Sequence, residues 1–300
     1  MPDEAQVATP PGPPPKSIAT ETPAMLRPVS GTLIIILPLR NPTMVLEQTA
    51  KSLAAQHDRR FSILISDNHS TRGREFIDGA ISEFQKAGIA VRRVQPPVEL
   101  GRVEHWNWAH HQAEAEWLKP VFAGDWLDLE FVAKLRAAIA AHPACRYVFS
   151  PYVLHRSDTA PLTVTSVWAG KFHEAAEMER HVLSLGMQFG PPSAAAYERT
   201  SFVAVGGYPT PLPICADSLL FCALAARFGV LGLAEPLCHF NIHDARFSTN
   251  LGEKRKDTFR ENITYLFMLA YHAWTRRVAF SKPGFARLLA RETRSYLSKK

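Results

Sequence analysis

The stretch from Leu118 to Phe131, LKPVFAGDWLDLEF, decides the fold of this 300-residue chain, because it runs from a short apolar strand through a polar turn into a helix. In an open α/β sheet, ligands bind in the crevice beyond the carboxyl ends of the strands. Asp125 directly follows the strand, so the sequence predicts that its carboxylate faces such a crevice. The alternative is structural: Asp125 turns the chain, and Asp128 caps a helix that begins at Leu129.

Two strand–helix units precede this stretch. The apolar run Leu33 to Leu37 predicts a strand buried on both faces, as in a parallel sheet, and Asn41-Pro42 predicts the start of a helix. The second strand, Phe61 to Ile65, leads directly to Asp67, which is thereby placed at the same edge of the sheet; an Asx turn is the structural alternative. A third strand over residues 89–94 completes the order strand, helix, strand, helix, strand.

Motif and spacing arguments exclude several classes of protein. The GxGxxG turn that binds a dinucleotide pyrophosphate follows neither early strand, which counts against an NAD or FAD enzyme. The four cysteines have neither CxxC nor zinc spacing, and no run approaches the roughly 18 apolar residues of a membrane span. Because no signal peptide is visible, we expect a protein of the reducing cytoplasm, at most peripheral at the inner face of the membrane.

Charge is concentrated towards the C-terminal end. The net charge is +6, yet residues 251–300 hold twelve Lys and Arg residues against four acidic ones, with apolar residues at helical spacing. We predict that residues 253–300 form basic helices on an anionic membrane surface, with a solvated helical face as the alternative. Residues 1–30 carry eight prolines, which predicts a disordered lead. A nucleic-acid partner is not expected, because no aromatic-interleaved reader motif accompanies the basic residues.

Eight segments, taken in order, resemble a known enzyme family. They are Leu37-Pro38, Ser66 to Thr71, Trp106-Asn107-Trp108, Gly124-Asp125-Trp126-Leu127, Gly190-Pro191-Pro192-Ser193, Val205 to Tyr208, Ala216 to Leu220, and Glu235 to His243. Together they resemble the family 2 glycosyltransferases, which have the GT-A fold. The resemblance covers residues 31–250. It implies an α/β domain with a mixed central sheet flanked by helices, divided into a nucleotide-binding half (31–150) and an acceptor half (151–250), before the basic helical tail 251–300.

The resemblance implies a nucleotide-sugar site on the donor side. It places six positions there: Pro38, Asp67, Asn107, Gly124, Asp125 and Trp126. Of these, Pro38 and Asp67 would line the pocket for the base and the ribose, and Asn107 either reaches a ligand or faces solvent. Arg40 follows the first strand on the crevice side, so it is a candidate partner for phosphate, with a solvated arginine as the alternative.

The resemblance also implies a metal site and a general base. Asp125 corresponds to the last acid of a DxD-type motif, which binds a divalent cation bridging the diphosphate, and His243 to a histidine that completes the metal site in some members. Asp217 corresponds to the general base of inverting members; its structural alternative is a helix N-cap. The usual acid before Asp125 is Gly124 here, so we expect Mn²⁺ or Mg²⁺ to be held weakly, with histidine favouring Mn²⁺.

The resulting hypothesis is an inverting glycosyltransferase of the hexosyltransferase type, of the kind used in polysaccharide biosynthesis. It would move a sugar from a nucleotide-diphosphate donor to a glycan or lipid-linked acceptor. One alternative is a degenerate, non-catalytic nucleotide-sugar-binding protein, which Gly124 makes plausible. The other is a nucleotidyltransferase on a related scaffold, but the glycine- and lysine-containing phosphate loop expected near its first strand is missing from Pro38-Leu39-Arg40-Asn41.

Overall fold

The computed structural model of the protein describes residues 31–165, 168–185, 189–243, 255–275 and 281–297. The predicted disordered lead, residues 1–30, lies outside the described residues, as do parts of the predicted basic tail.

Strands and helices alternate through the first half of the chain. They are β1 (Leu33–Leu39), α1 (Val45–Ala54), β2 (Ser62–Asp67), α2 (Arg74–Lys86), β3 (Val91–Val94), α3 (Arg102–His111), β4 (Trp117–Pro120), β5 (Trp126–Leu127) and α4 (Phe131–Ala141). The second half continues with β6 (Tyr147–Phe149), β7 (Tyr152–Arg156), β8 (Thr159–Val164), β9 (Phe172–His173), α5 (Ala175–Leu185), a 3-10 turn (Pro192–Ala194), β10 (Ala195–Glu198), α6 (Arg199–Ala204), α7 (Ala216–Phe228), β11 (Val230–Gly232), β12 (Cys238–Ile242), α8 (Arg255–Thr275) and α9 (Lys282–Leu297).

The main sheet has eight strands in the order β3-β2-β1-β4-β10-β6-β11-β9. Strands β3, β2, β1 and β4 are parallel, whereas β10 lies antiparallel between β4 and β6. All seven residues of β1 are buried, because helices cover both faces of a central parallel strand. Leu39 pairs with Asp67, and Ile36 pairs with Pro120. The carboxyl ends of β1, β2 and β4 therefore meet at one edge, and the predicted mixed α/β architecture is confirmed.

A second, four-stranded sheet has the order β5-β12-β7-β8. Strand β12 runs antiparallel to β5, pairing His239 with Trp126, and parallel to β7. This sheet joins the turn that follows β4 to the segment that leads into His243. It thereby brings Gly124 and His243, which are far apart in the sequence, to the same place.

Two predicted helix starts are displaced. The helix expected at Asn41-Pro42 begins at Val45, and Asn41 instead adopts a left-handed φ of 47°. Its side-chain Oδ1 accepts a 2.9 Å hydrogen bond from the backbone N–H of Thr71, so the asparagine closes a loop rather than capping a helix. The helix expected at Leu129 begins at Phe131, because the short strand β5 precedes it.

The described part of the basic tail packs into the domain. Tyr265 and Leu266 of α8 and Leu288 of α9 are buried in the same hydrophobic core as the central sheet. The hydroxyl of Tyr265 also lies 2.7 Å from Sγ of Cys222 in α7. Among the helices that the structure describes, none is both long enough and apolar enough to cross a membrane.

Candidate functional site

A cleft of about 570 Å³ opens at the edge where β1, β2 and β4 end. The segments after these strands and the start of α3 form one wall, and the start of α7 and the end of β12 contribute to the opposite wall. Four residues predicted for the site line it: Pro38, Arg40, Asp217 and His243. The other five predicted residues are absent from its lining: Asp67, Asn107, Gly124, Asp125 and Trp126. The structure therefore brings together the predicted base, one predicted metal ligand and part of the predicted donor pocket.

Asp67 ends β2 and is only 2% exposed. One carboxylate oxygen accepts a 2.6 Å hydrogen bond from Nη2 of Arg93, and the other accepts a 3.0 Å hydrogen bond from the backbone N–H of Ser70. Burial raises the pKa of Asp67, but the hydrogen bonds from Ser70 and Arg93 outweigh it, so the pKa lies below its ordinary value. Asp67 is therefore an ionised, fixed side chain next to Asn68, which does line the cleft.

Two asparagines fasten the loops around the cleft through reciprocal hydrogen bonds to backbone. The amide of Asn68 donates to the carbonyl of Leu100 at 2.8 Å and accepts from its N–H at 2.9 Å. Asn107 makes the same pair with the backbone of Tyr208, at 2.8 Å in both directions. A Cβ atom on Gly207 would come 2.6 Å from Oδ1 of Asn107, so this junction requires glycine. Asn107 thus joins α3 to the segment around Tyr208, and a contact of Asn107 with a ligand stays a prediction.

Arg40 lies at the rim of the cleft, immediately after β1. It forms an ion pair with Glu99, and about half of each side chain is exposed. Exposed ion pairs of this kind contribute between about 0 and 1 kcal/mol. The guanidinium can therefore exchange Glu99 for a phosphate at little cost. Both alternatives for Arg40, a partner for phosphate and a solvated arginine, stay predictions.

The first turns of α3 supply two more polar side chains to the cleft. Arg102 stacks its guanidinium 4.6 Å from the ring centre of Trp106 and donates to the carbonyl of Pro213, in the loop before α7. His105 lies with Nε2 2.7 Å from the hydroxyl of Ser66. Burial lowers the pKa of His105 to about 4, so its imidazole is neutral at pH 7.

Asp125 belongs to a buried polar network instead of facing the cleft openly. The side chain is 0% exposed; Oδ2 accepts a 2.5 Å hydrogen bond from the hydroxyl of Ser193, and Oδ1 accepts a 3.3 Å hydrogen bond from the N–H of Asn241. Lys119 of β4 is equally buried and donates to the carbonyl of Ser193. Burial lowers the pKa of Lys119 to about 8, while Cys238 and Asp125 pull it back up. The carboxylate of Asp125 and the amine of Lys119 thus both contact Ser193, the first at its hydroxyl and the second at its carbonyl oxygen.

His243 lies against Gly124. A Cβ atom built on Gly124 would come 2.6 Å from Nε2 of His243, and Gly124 has a φ of +94°. Both ring nitrogens of His243 are shielded from solvent. This histidine therefore occupies the space beside Asp125 in which a side chain at position 124 would lie.

The fit of these residues to a divalent cation is limited. Within the described ranges, no group of three or more His, Cys, Asp and Glu side chains is arranged to hold a metal ion. Asp125 and His243 supply one oxygen donor and one nitrogen donor, and Asp125 already accepts a hydrogen bond from Ser193. Mg²⁺ in nucleotide sites commonly takes only one or two carboxylates beside substrate phosphates. The residues present therefore fit a cation that is shared with a bound diphosphate.

Trp126 contributes to the second sheet. Its indole stacks on His239, with 5.0 Å between ring centres and 5° between planes, and lies 4.5 Å from the ring of His155. These two histidines are themselves joined, Nε2 to Nδ1, at 3.0 Å. Trp126 therefore belongs to an aromatic cluster of the second sheet, and its contact with a nucleotide sugar stays a prediction.

Asp217 lies at the cleft wall in the first turn of α7. The helix begins at Ala216 with Cys215 in the N-cap position, so Asp217 is not the cap. Its Oδ1 accepts a 2.7 Å hydrogen bond from the N–H of Ser218. Burial raises the pKa of Asp217, although Ser218 and the positive charge of Arg102 oppose this. Asp217 is half-buried yet lines the cleft, so it is a basic carboxylate that a ligand can reach.

Sequence reasoning missed three residues of this region: Ser193, Lys119 and His105. Ser193 ends the segment Gly190-Pro191-Pro192-Ser193, which carries part of the family resemblance, but the sequence predicted no role for its hydroxyl. Lys119 is a charged residue inside an otherwise apolar strand, and that alone signals a buried partner. His105 lies in the first turns of α3, and its contact with Ser66 joins residues 39 apart in the sequence.

No family model matches the sequence, and no curated protein matches it. Solved structures do resemble the fold. The crystal structure of Staphylococcus aureus TarS residues 1–349 with UDP has a TM-score of 0.60 at 14% identity, and the match covers 89% of this chain and 72% of that one. The mannosyltransferase PcManGT from Pyrobaculum calidifontis, with GDP-Man and Mn²⁺, has a TM-score of 0.54 at 16% identity, covering 90% and 70%. GalNAc-T7 with UDP, GalNAc and Mn²⁺ has a TM-score of 0.52 at 13% identity, covering 71% and 44%. The chain therefore has the GT-A fold.

Proposed function

We propose that the protein is a glycosyltransferase that takes a sugar from a nucleoside-diphosphate sugar. The observation that carries this proposal is the cleft of a GT-A fold in which a basic carboxylate, Asp217, faces the ends of β1, β2 and β4. The structural neighbours include proteins solved with UDP, UDP-GlcNAc and GDP-Man. That chemistry fits a cleft at the carboxyl ends of parallel strands, where α/β folds bind nucleotides.

The donor side of the cleft suits a nucleotide. Pro38 offers an apolar surface for the base, and Asn68 lines the cleft beside it, next to the fixed carboxylate of Asp67 that we propose as a further acceptor. Arg40 lines the cleft and pairs with the exposed Glu99, so it is our proposed partner for the diphosphate. An arginine that gives up a surface carboxylate for a phosphate gains a charge-assisted, bidentate contact.

We propose that Mn²⁺ or Mg²⁺ binds together with the diphosphate. Asp125 and His243 are the residues that would hold it, while Ser193 donates a hydrogen bond to Asp125. When bound, such an ion offsets the negative charge that develops on the departing diphosphate. Because one acid is missing at Gly124, affinity for the ion alone is expected to be weak.

Asp217 is the proposed general base of an inverting transfer. It would accept the proton of an acceptor hydroxyl while the oxygen attacks the anomeric carbon from the side opposite the diphosphate. A carboxyl whose pKa is raised by burial is a stronger base than an exposed one. The acceptor class we propose is a glycan or a lipid-linked sugar, and the exposed basic residues of α8 and α9 would hold the enzyme at an anionic membrane surface.

The test is a panel of UDP-, GDP- and dTDP-sugars, with and without Mn²⁺, read first by thermal stabilisation. A ligand at 100 times its Kd stabilises the folded state by about 2.7 kcal/mol. Stabilisation by one nucleotide class, together with slow release of the nucleoside diphosphate from its sugar, is the expected result. Absence of binding to every member overturns the proposal.

A second candidate function is non-catalytic binding of a nucleotide sugar. The observation in its favour is that Asp125 is buried against Ser193 while Gly124 replaces the neighbouring acid. The same panel separates the two, because a binding protein would be stabilised by a nucleotide sugar without ever releasing nucleoside diphosphate from it.

A further inference from the structure

The loop that delivers Asp217 to the cleft is held by a buried carboxylate from α8. Glu261 is 3% exposed, and its Oε2 accepts hydrogen bonds from the backbone N–H groups of Ile214, at 2.7 Å, and Cys215, at 3.1 Å. These are the two residues directly before α7. Glu261 therefore supplies from another helix the capping interaction that no side chain of the loop itself makes.

The same loop is held from the other side by a cation. Arg102 on α3 donates to the carbonyl of Pro213, the residue before Ile214. Its guanidinium stays in place because it also stacks on Trp106. Three consecutive loop residues are thus anchored by two side chains of opposite charge, one from the donor half and one from the C-terminal helices.

The charge of Arg102 acts on the carboxyl group of Asp217, two residues beyond Cys215, and the charge of Glu261 acts on Arg102 and on the thiol of Cys215. The positive charge of Arg102 lowers the pKa of Asp217, against the larger effect of burial. Arg102 is in turn attracted by both Asp217 and Glu261. The other titratable groups around Asp217 are Arg40, His105 and His243 in the cleft, and Tyr147, Tyr208, Tyr265 and Cys215 behind it.

We propose that Arg102 and Glu261 are positioning residues that act through Asp217, by anchoring the loop that carries it and by setting opposing charges around its carboxyl group. This inference rests on the proposed role of Asp217. It assigns a catalytic purpose to α8, because removal of Glu261 would alter the base without touching the donor. The two residues are expected to affect Asp217 in opposite directions, which a shared role in folding alone would not produce.

The variants are chosen to separate charge from geometry. In Glu261→Gln, the amide oxygen can still accept both backbone N–H groups, so the loop anchor survives while the negative charge is lost. Arg102→Met removes the positive charge, and Arg102→Lys is its control because it keeps that charge. Asp217→Asn identifies the signal of residue 217 by its disappearance.

The measurement is a pH titration of ¹³Cγ-labelled aspartate by NMR, which requires neither donor nor acceptor. Arg102→Met is expected to raise the midpoint of Asp217 by about one pH unit, and Glu261→Gln is expected to lower it by a smaller amount. Arg102→Lys should stay near wild type. The inference is overturned if the titration midpoint of Asp217 moves in the same direction in Arg102→Met and Glu261→Gln, or if it moves in neither variant.

Turnover then separates this inference from the proposed function. With the nucleotide sugar selected by the panel, release of nucleoside diphosphate in each variant should show the same displacement of the acidic limb of its pH profile. If Asp217→Asn turns over normally, the base assignment fails, whatever the titrations show. If Asp217→Asn is inactive but neither midpoint moves, only the positioning role of Arg102 and Glu261 fails.

Discussion

The imidazole of His243 fills the space that any side chain on residue 124 would need, so His243 and Gly124 depend on each other. A Cβ atom on Gly124 would approach Nε2 of His243 to 2.6 Å and Cδ2 to 2.9 Å. The φ of +94° adds a backbone conformation that side chains with a Cβ atom rarely adopt. The glycine at position 124 and the imidazole of His243 are thus two parts of one packing arrangement.

This relationship predicts non-additive behaviour. Gly124→Asp is expected to destabilise the fold by about 2–4 kcal/mol, because it adds both strain and a collision with His243. In the double variant with His243→Ala the collision is relieved, so the loss should be smaller than the sum of the two single losses. Urea denaturation of the four proteins measures the difference, and strictly additive losses would contradict the arrangement.

Asp67→Ala is predicted to weaken nucleotide binding by about 1–3 kcal/mol, since it removes a buried hydrogen-bond partner and releases Arg93. Asp78→Ala is the matched control, because Asp78 contacts the same arginine at 3.3 Å from an exposed position. Calorimetry with UDP, GDP and dTDP measures the nucleotide affinities of Asp67→Ala and Asp78→Ala. Equal affinities for the two variants would remove Asp67 from the donor site.

The same residue makes a prediction about acid stability. The pKa of Asp67 is lower in the folded state than its ordinary value of 3.8. Its stabilising contribution is therefore fully present above the unfolded pKa and is lost as the pH falls through the lower, folded value. Between about pH 5 and about pH 2, the free energy of unfolding should therefore fall more for wild type than for Asp67→Ala.

The part of the site that could be predicted is the part set by local pattern. Continuous apolar runs placed β1 and β2, the position of Arg40 after the first strand put it at the cleft, and the family resemblance put Pro38 there. These predictions hold because strand direction and burial depend mainly on neighbouring residues.

The remainder depends on contacts between distant segments. The hydrogen bond from Asn107 to Tyr208 spans 101 residues, that from Ser193 to Asp125 spans 68, and that from Cys215 to Glu261 spans 46. Nothing in the local sequence distinguishes an asparagine that meets a ligand from one that meets a backbone. The burial of Asp125 was equally unpredictable, since it results from the second sheet closing over the turn after β4.

The exposed basic residues of α9 are predicted to bind anionic vesicles. Removing Arg287, Arg291 and Arg294 together, as glutamine, should weaken partitioning on the order of 100-fold, since each basic residue near headgroups contributes about 1 kcal/mol. Deleting the helices is not a suitable test, because Leu288 and Tyr265 are part of the core. A charge-matched control replaces three exposed basic residues of the donor half: Lys51, Arg72 and Lys86. If wild type and the α9 variant partition equally on anionic vesicles, the exposed arginines of α9 do not form a membrane-binding surface.

Lys119 should make stability rise with pH in the alkaline range. Its folded pKa of about 8 lies below the ordinary 10.5, so between these values the unfolded state holds a proton that the folded state has released. Stability of wild type relative to Lys119→Met is therefore expected to increase by up to about 3 kcal/mol across that interval. Urea denaturation from pH 7 to pH 10 measures it. Lys51→Met, at an exposed lysine, is the control, and parallel curves for wild type and Lys119→Met would contradict the burial of a charged amine.

Asp217→Asn is predicted to abolish turnover while leaving the fold and the donor site intact. Asparagine is nearly isosteric with aspartate and cannot accept a proton at neutral pH, so turnover should fall by a factor on the order of 10²–10⁴. Stability should change by less than about 1 kcal/mol, because Cys215 and not Asp217 occupies the N-cap position and burial already disfavours the charged carboxyl. Ser218→Ala is the matched control in the same helical turn: it removes a hydroxyl 3.4 Å from Oδ1 of Asp217 but keeps the backbone N–H that holds this carboxylate. Release of nucleoside diphosphate, nucleotide affinity and Tm, measured on all three proteins, test the prediction together. Normal turnover by Asp217→Asn would place the base elsewhere in the cleft, and a parallel loss of nucleotide affinity would mean that Asp217 holds the donor instead of deprotonating the acceptor.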